Sequence, residues 1–104
     1  MNNLKINLPE EKVASFCRRW KITELALFGS VLRDDFGPDS DVDVLVTFAP
    51  DAPWSLVDHV TMQDELKQIL QRNVDLISRR GLEQSHNSIR RKAILSSAQV
   101  FYAA

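Results

Sequence analysis

The chain has a single cysteine, Cys17, among its 104 residues. That excludes an internal disulfide framework and a thiolate metal cluster, and it fits a reducing compartment, so the cytoplasm is the expected location. No apolar run approaches the length of a membrane span, and the opening MNNLKINLPEEK lacks a long apolar stretch of the signal-peptide kind. An excess of charge of one sign is also missing. Lys and Arg number 13 and Asp and Glu 14, a net charge of -1, so no global positive field recruits a long nucleic acid. With only 3 glycines and 4 prolines, nothing reads as a flexible linker, and there is no internal repeat. What is present, 44% hydrophobic and 26% charged residues, is the make-up of one globular domain with one core.

Apolar spacing divides the chain into alternating elements. Pro9 can open a helix, Glu10 and Glu11 suit its positive end, and Val13, Phe16, Cys17 and Trp20 recur at helical spacing. ELALF, Glu24–Phe28, is a short buried strand stopped by Gly29, and a short helix over 30–35 begins at the Gly-Ser turn. FGPDS, 36–40, is loop chemistry. DVDVLVTF, Asp41–Phe48, alternates as a strand with Val42, Val44, Val46 and Phe48 on one face.

After the loop bracketed by Pro50 and Pro53, Ser55 and Asp58 form a capping box for a helix over Leu56–Gln71. Leu56, Val57, Val60, Leu66, Ile69 and Leu70 are its expected core-facing stripe. VDLI, Val74–Ile77, is a third strand. A last helix spans 88–98, with Ile89, Ala93, Ser97 and Val100 on one face, and Val100–Tyr102 either finishes it or forms an edge strand. The expected fold is an α/β domain, a small mixed sheet of three to four strands with packed helices.

Two carboxylates sit where burial would be costly. Asp41 and Asp43 share a strand face, roughly 7 Å apart, and repel each other unless a cation sits between them. Mg²⁺ fits, since it takes one or two carboxylates plus phosphate oxygens. Asp75, inside VDLI, is the candidate third ligand. Three aspartates can hold two ions about 3.5–4 Å apart, the arrangement that stabilises in-line phosphoryl displacement. Gly29 lets backbone approach a phosphate, Ser30 offers a hydroxyl and an N–H at a helix start, and Arg33 can reach the same anion. With Ser40, these are the candidate nucleotide-binding residues; Asp41, Asp43 and Asp75 are the candidate catalytic and metal-binding residues.

Gly29-Ser30, ten residues, then Asp41-x-Asp43 resembles the signature of the DNA-polymerase-beta-like nucleotidyltransferases. GSVLR, SDVDVLV and VDLI, with the short length, resemble its minimal (MNT) branch, and the likeness continues through the 54–71 helix to IRRKAIL and VFY. The resemblance implies a metal-dependent enzyme that transfers AMP from ATP to a tyrosine of a HEPN ribonuclease toxin. The protein would then be that toxin's antitoxin, in a hetero-oligomer with no nucleic acid or membrane partner. It also implies triphosphate contacts for Gly29 and Ser30 and metal contacts for Asp41, Asp43 and Asp75. One departure stands out: Asp34 replaces the glycine that usually follows the motif arginine.

Other readings stand beside this one. Asp-x-Asp can be a solvated strand end, and Gly-Ser an ordinary helix cap. Two functional alternatives are a binding module that neutralises its partner by occlusion and nucleotidyl transfer to a small molecule. His59 and His86 read as surface residues and Trp20, Trp54 and Tyr102 as packing. Arg79-Arg80 and Arg90-Arg91-Lys92 read as solvated faces.

Overall fold

The structure is a computed structural model that describes residues 8–32, 37 and 40–104. Its elements run α1 (Glu10–Arg19), β1 (Ile22–Phe28), a 3-10 turn (Gly29–Leu32), β2 (Val42–Phe48), α2 (Leu56–Leu70), β3 (Val74–Ser78), α3 (Arg79–Glu83), α4 (Ser88–Ser97) and β4 (Gln99–Ala103). The four strands form one mixed sheet in the order β3-β2-β1-β4. β1 pairs antiparallel with both β2 and β4, while β2 and β3 are parallel, joined through α2.

Alternation along the strands divides the sheet into two faces. Leu25, Leu27, Val42, Val44, Val46, Val74 and Leu76 pack with Val13, Phe16 and Cys17 of α1 and Met62 and Leu66 of α2. Ala26, Phe28 and Leu45 point the other way, against Leu82 of α3 and Ile94 of α4. Asp43 and Asp75 alternate onto this second face, beside Leu45 and Ile77, towards one end of the sheet.

Local chemistry sets several boundaries. The Ser55–Asp58 capping box is formed: the Ser55 N–H donates to Asp58 Oδ2 at 2.9 Å, and the Asp58 N–H donates to Ser55 Oγ at 3.4 Å. α2 stops at Gln71, which takes a left-handed conformation (φ 55°). Trp20 and Trp54 meet edge to face at 5.1 Å between ring centroids. Each indole N–H is satisfied, that of Trp20 by Glu65 (3.0 Å) and that of Trp54 by the Trp20 carbonyl (2.6 Å), as half-buried tryptophans require. Tyr102 also packs at the core margin.

Four expectations are revised. β2 begins at Val42, so Asp41 stands just before the strand rather than within it. The α2 stripe is buried only in its second half: Leu56, Val57 and Val60 are 79%, 74% and 52% exposed. At 3.6 residues per turn these three lie on the side of the helix opposite Met62, and the buried line continues back through His59 instead. On α4 the buried residue is Ile94, while Ile89, almost half a turn round from it, is 82% exposed. The short α3, capped by Ser78 accepting from the Gly81 N–H at 3.0 Å, was not anticipated. The C-terminal segment is an edge strand, β4. The expected helix over 30–35 is seen only as the 3-10 turn; its later part lies outside the described residues.

Candidate active site

The antiparallel register places Phe28 opposite Asp43, and the parallel register places Asp43 opposite Asp75. Neighbouring partners on one face have their side chains close together, so two carboxylates from different strands share a small patch. Asp41, two residues earlier, is exposed, as is Asp75, while Asp43 is half-buried. Gly29 directly follows Phe28 and adopts φ +74°. Its Cα lies against Asp43: a Cβ built there would be 2.3 Å from Oδ2 and 3.2 Å from Cγ. The motif glycine is therefore required twice, for its dihedral and for the room it leaves a carboxylate. Ser30 continues the chain into the 3-10 turn.

Ser40 lies in the approach to β2. Its hydroxyl accepts from the Gly37 N–H at 3.1 Å, and its own N–H donates to the Gly37 carbonyl at 3.1 Å. Arg72, just past α2, donates through Nη2 to the carbonyls of both Gly37 and Ser40, the latter at 3.1 Å. One residue on, the Val42 N–H donates to the Asn73 carbonyl at 2.9 Å. The guanidinium thus fixes the loop that delivers Asp41 and Asp43. Asp41, Asp43 and Arg72 each have further partners. Arg33 lies outside the described residues.

Gly29, Asp43 and Asp75 come together, with Ser30 next in the chain to Gly29, and Ser40 and Asp41 in the segment that leads into β2. Arg72 escaped the sequence reading because an arginine after a helix looks like an ordinary solvated end; only its distance from the loop in space gives it a role. His59 is a second departure. It is half-buried, and its Nε2 bonds the Leu76 carbonyl at 2.7 Å. A cleft of about 830 Å³ lies at the opposite ends of β2 and β3, bounded by Phe48, Trp54, His59, Ser78, Arg80 and Arg90. Among the described residues, Gly29, Ser40, Asp41, Asp43 and Asp75 are not part of its lining.

Among the described residues, no three His, Cys, Asp or Glu side chains gather closely enough to hold a metal ion by themselves. The donor set nevertheless fits Mg²⁺. This ion usually binds one or two carboxylates and completes its octahedron with phosphate oxygens and water, not an all-protein cage. Asp43 and Asp75 supply such a pair.

The profile of the nucleotidyltransferase domain family matches residues 10–100. The chain belongs to that family. A Methanocaldococcus jannaschii protein, provisionally named a protein adenylyltransferase, is 32% identical over 76 residues, 73% of either chain. The protein adenylyltransferase MntA of Thermococcus cleftensis is 35% identical over 65 residues, 62% of this nucleotidyltransferase and 64% of MntA. Among solved structures, a chain of a toxin–antitoxin complex with AMP-PNP superposes with a TM-score of 0.72 at 21% identity, covering 93% of this chain and 75% of that one. A chain from a complex of a tri-AMPylated Shewanella oneidensis HEPN toxin with its MNT antitoxin superposes with a TM-score of 0.64. There the identity is again 21%, with coverage of 91% and 70%. These superpositions establish the nucleotidyltransferase fold, a mixed four-stranded sheet with packed helices. Among the described residues, no helix is long and apolar enough to cross a membrane.

Proposed function

We propose that this nucleotidyltransferase is a Mg²⁺-dependent protein adenylyltransferase that acts in the cytosol as the antitoxin of a HEPN-type toxin. The observation that carries the reading is the pairing of Asp43 with Asp75 across β2 and β3, against the Gly29 turn. Its relatives named protein adenylyltransferases, and the AMPylated toxin bound by a fold neighbour, support the acceptor class.

In this reading Asp41, Asp43 and Asp75 hold two ions, and Gly29, Ser30, Arg33 and Ser40 face the triphosphate of ATP. The tyrosine oxygen of the acceptor attacks the α-phosphorus in line. A bond forms between that oxygen and phosphorus, the bond to the β-phosphate oxygen breaks, and pyrophosphate leaves with its electrons. The phenolic proton passes to a carboxylate, for which Asp75 is the candidate. Bound Mg²⁺ would neutralise the charge that develops on the phosphate oxygens. Gly29 keeps Asp43 in place, and Arg72 anchors the loop that precedes it.

A second reading, neutralisation by occlusion, is favoured by the exposed apolar residues Leu56, Val57 and Val60, which suit a contact with another protein. Intact mass spectrometry separates the two. Incubation of the partner with Mg-ATP and the wild type should add adenylyl groups to a partner tyrosine, and Asp43→Asn should add none. An unmodified partner, neutralised equally by both proteins, would establish occlusion instead.

A further inference from the structure

β3 is an edge strand of five residues, yet it carries Asp75. A short edge strand exposes alternate backbone groups and is the part of a sheet that peels most easily. Leu76, the residue after Asp75, has its backbone groups facing outward, and α2 takes both. The Leu76 N–H donates to Gln63 Oε1 at 3.0 Å. The Leu76 carbonyl accepts from His59 Nε2, 2.7 Å away, which fixes the proton on that nitrogen. His59 and Gln63 are one helical turn apart and so present their side chains side by side. By strand alternation, the backbone of Asp75 itself faces β2.

We infer that the His59–Gln63 pair is a positioning device for the third carboxylate, holding β3 against β2 so that Asp75 stays opposite Asp43. This rests on the reading of Asp75 as a ligand. Both side chains bond the Leu76 backbone, so the pair acts on Asp75 through the strand and not by touching its carboxylate. Simple edge protection would account for the hydrogen bonds but not for any link to metal affinity. Groups that orient a metal ligand typically change affinity 10–100-fold when removed, and a carboxylate on a loosened strand should behave likewise.

The test compares Gln63→Leu and His59→Leu, which each remove one arm, with His59→Gln, which keeps a donor at similar reach. Two readouts are independent of turnover: amide hydrogen exchange at Leu76, and Mn²⁺ binding in the presence of a non-hydrolysable ATP analogue. Gln63→Leu should speed exchange at Leu76 and weaken Mn²⁺ binding about tenfold, with the analogue's own affinity at saturating Mn²⁺ changed less than twofold. His59→Leu should weaken Mn²⁺ similarly and His59→Gln should restore it; should His59→Leu not fold, Gln63→Leu alone decides. Fast Leu76 exchange with unaltered Mn²⁺ affinity would overturn the inference, as would a Leu76 amide still protected in Gln63→Leu. Undiminished Mn²⁺ binding and transfer by Asp75→Asn would instead remove the reading of Asp75, and the inference with it.

Discussion

The Cα of Gly29 lies so close to the Asp43 carboxylate that a methyl group in place of its hydrogen would meet Oδ2 at 2.3 Å. Gly29→Ala must therefore move the carboxylate, the turn or both, and it also meets the left-handed strain of φ +74°. Displacing a reacting group by about 1 Å can cost on the order of a hundredfold in rate. We expect Gly29→Ala to lose about that much transfer activity, measured by AMP incorporation at saturating ATP, while remaining folded by circular dichroism.

Asp43→Asn and Asp75→Asn remove one charge each from facing positions of the β2–β3 ladder without changing side-chain size. Each should reduce transfer by at least roughly a hundredfold. Neither side chain belongs to the apolar core, so thermal midpoints should shift by only a few degrees. A large drop in midpoint would assign the aspartates to folding instead.

Arg72 bonds two carbonyls of the loop before β2. Arg72→Ala should lower stability by about 1.5–3 kcal/mol, the range for hydrogen bonds to a charged group, and raise the KM for ATP as the loop loosens. Arg72→Lys should rescue little, because the shorter lysine side chain does not carry a donor to the position of Nη2. Denaturant melts and ATP titrations of the three proteins check both points.

Cys17, on the core-facing side of α1, is fully buried, and desolvation pushes its thiol from 9.0 up to about 12, against a smaller opposing pull from Arg18. The folded protein holds this proton where the unfolded chain has lost it. Stability from the thiol is therefore intact below pH 9 and is lost as pH rises towards about 12. Chemical denaturation at pH 8, 9.5 and 10.5 should show this decline in wild type and a shallower one in Cys17→Ala. At pH 8 the native thiol should resist alkylation.

The legible parts of the chain were those with local signals. GSVLR and DVDVLV announce their chemistry in consecutive residues, and Ser55 with Asp58 announces a helix start. The 100° step of a helix separates Leu56, Val57 and Val60 from Met62 and Leu66, so the apolar residues of α2 form an exposed line and a buried one where composition alone suggests a single stripe. α4 misled for a different reason: with few apolar residues, its pattern fits more than one buried face, and packing against Leu45 and Leu82 selects Ile94. Arg72, His59 and Gln63 had no local signature at all. Their partners, Gly37, Ser40 and Leu76, are backbone groups 13 to 35 positions away in the chain, and polar side chains seeking distant carbonyls leave no period to read.

β1, the strand that leads into the Gly29 turn, has β2 on one flank and the last strand, Gln99–Ala103, on the other. During synthesis, one of its hydrogen-bonding edges therefore stays bare until residues 99–103 clear the ribosome. Until then the half-built sheet is an adhesive surface, so a chain cut before Gln99 should aggregate where one that includes β4 does not.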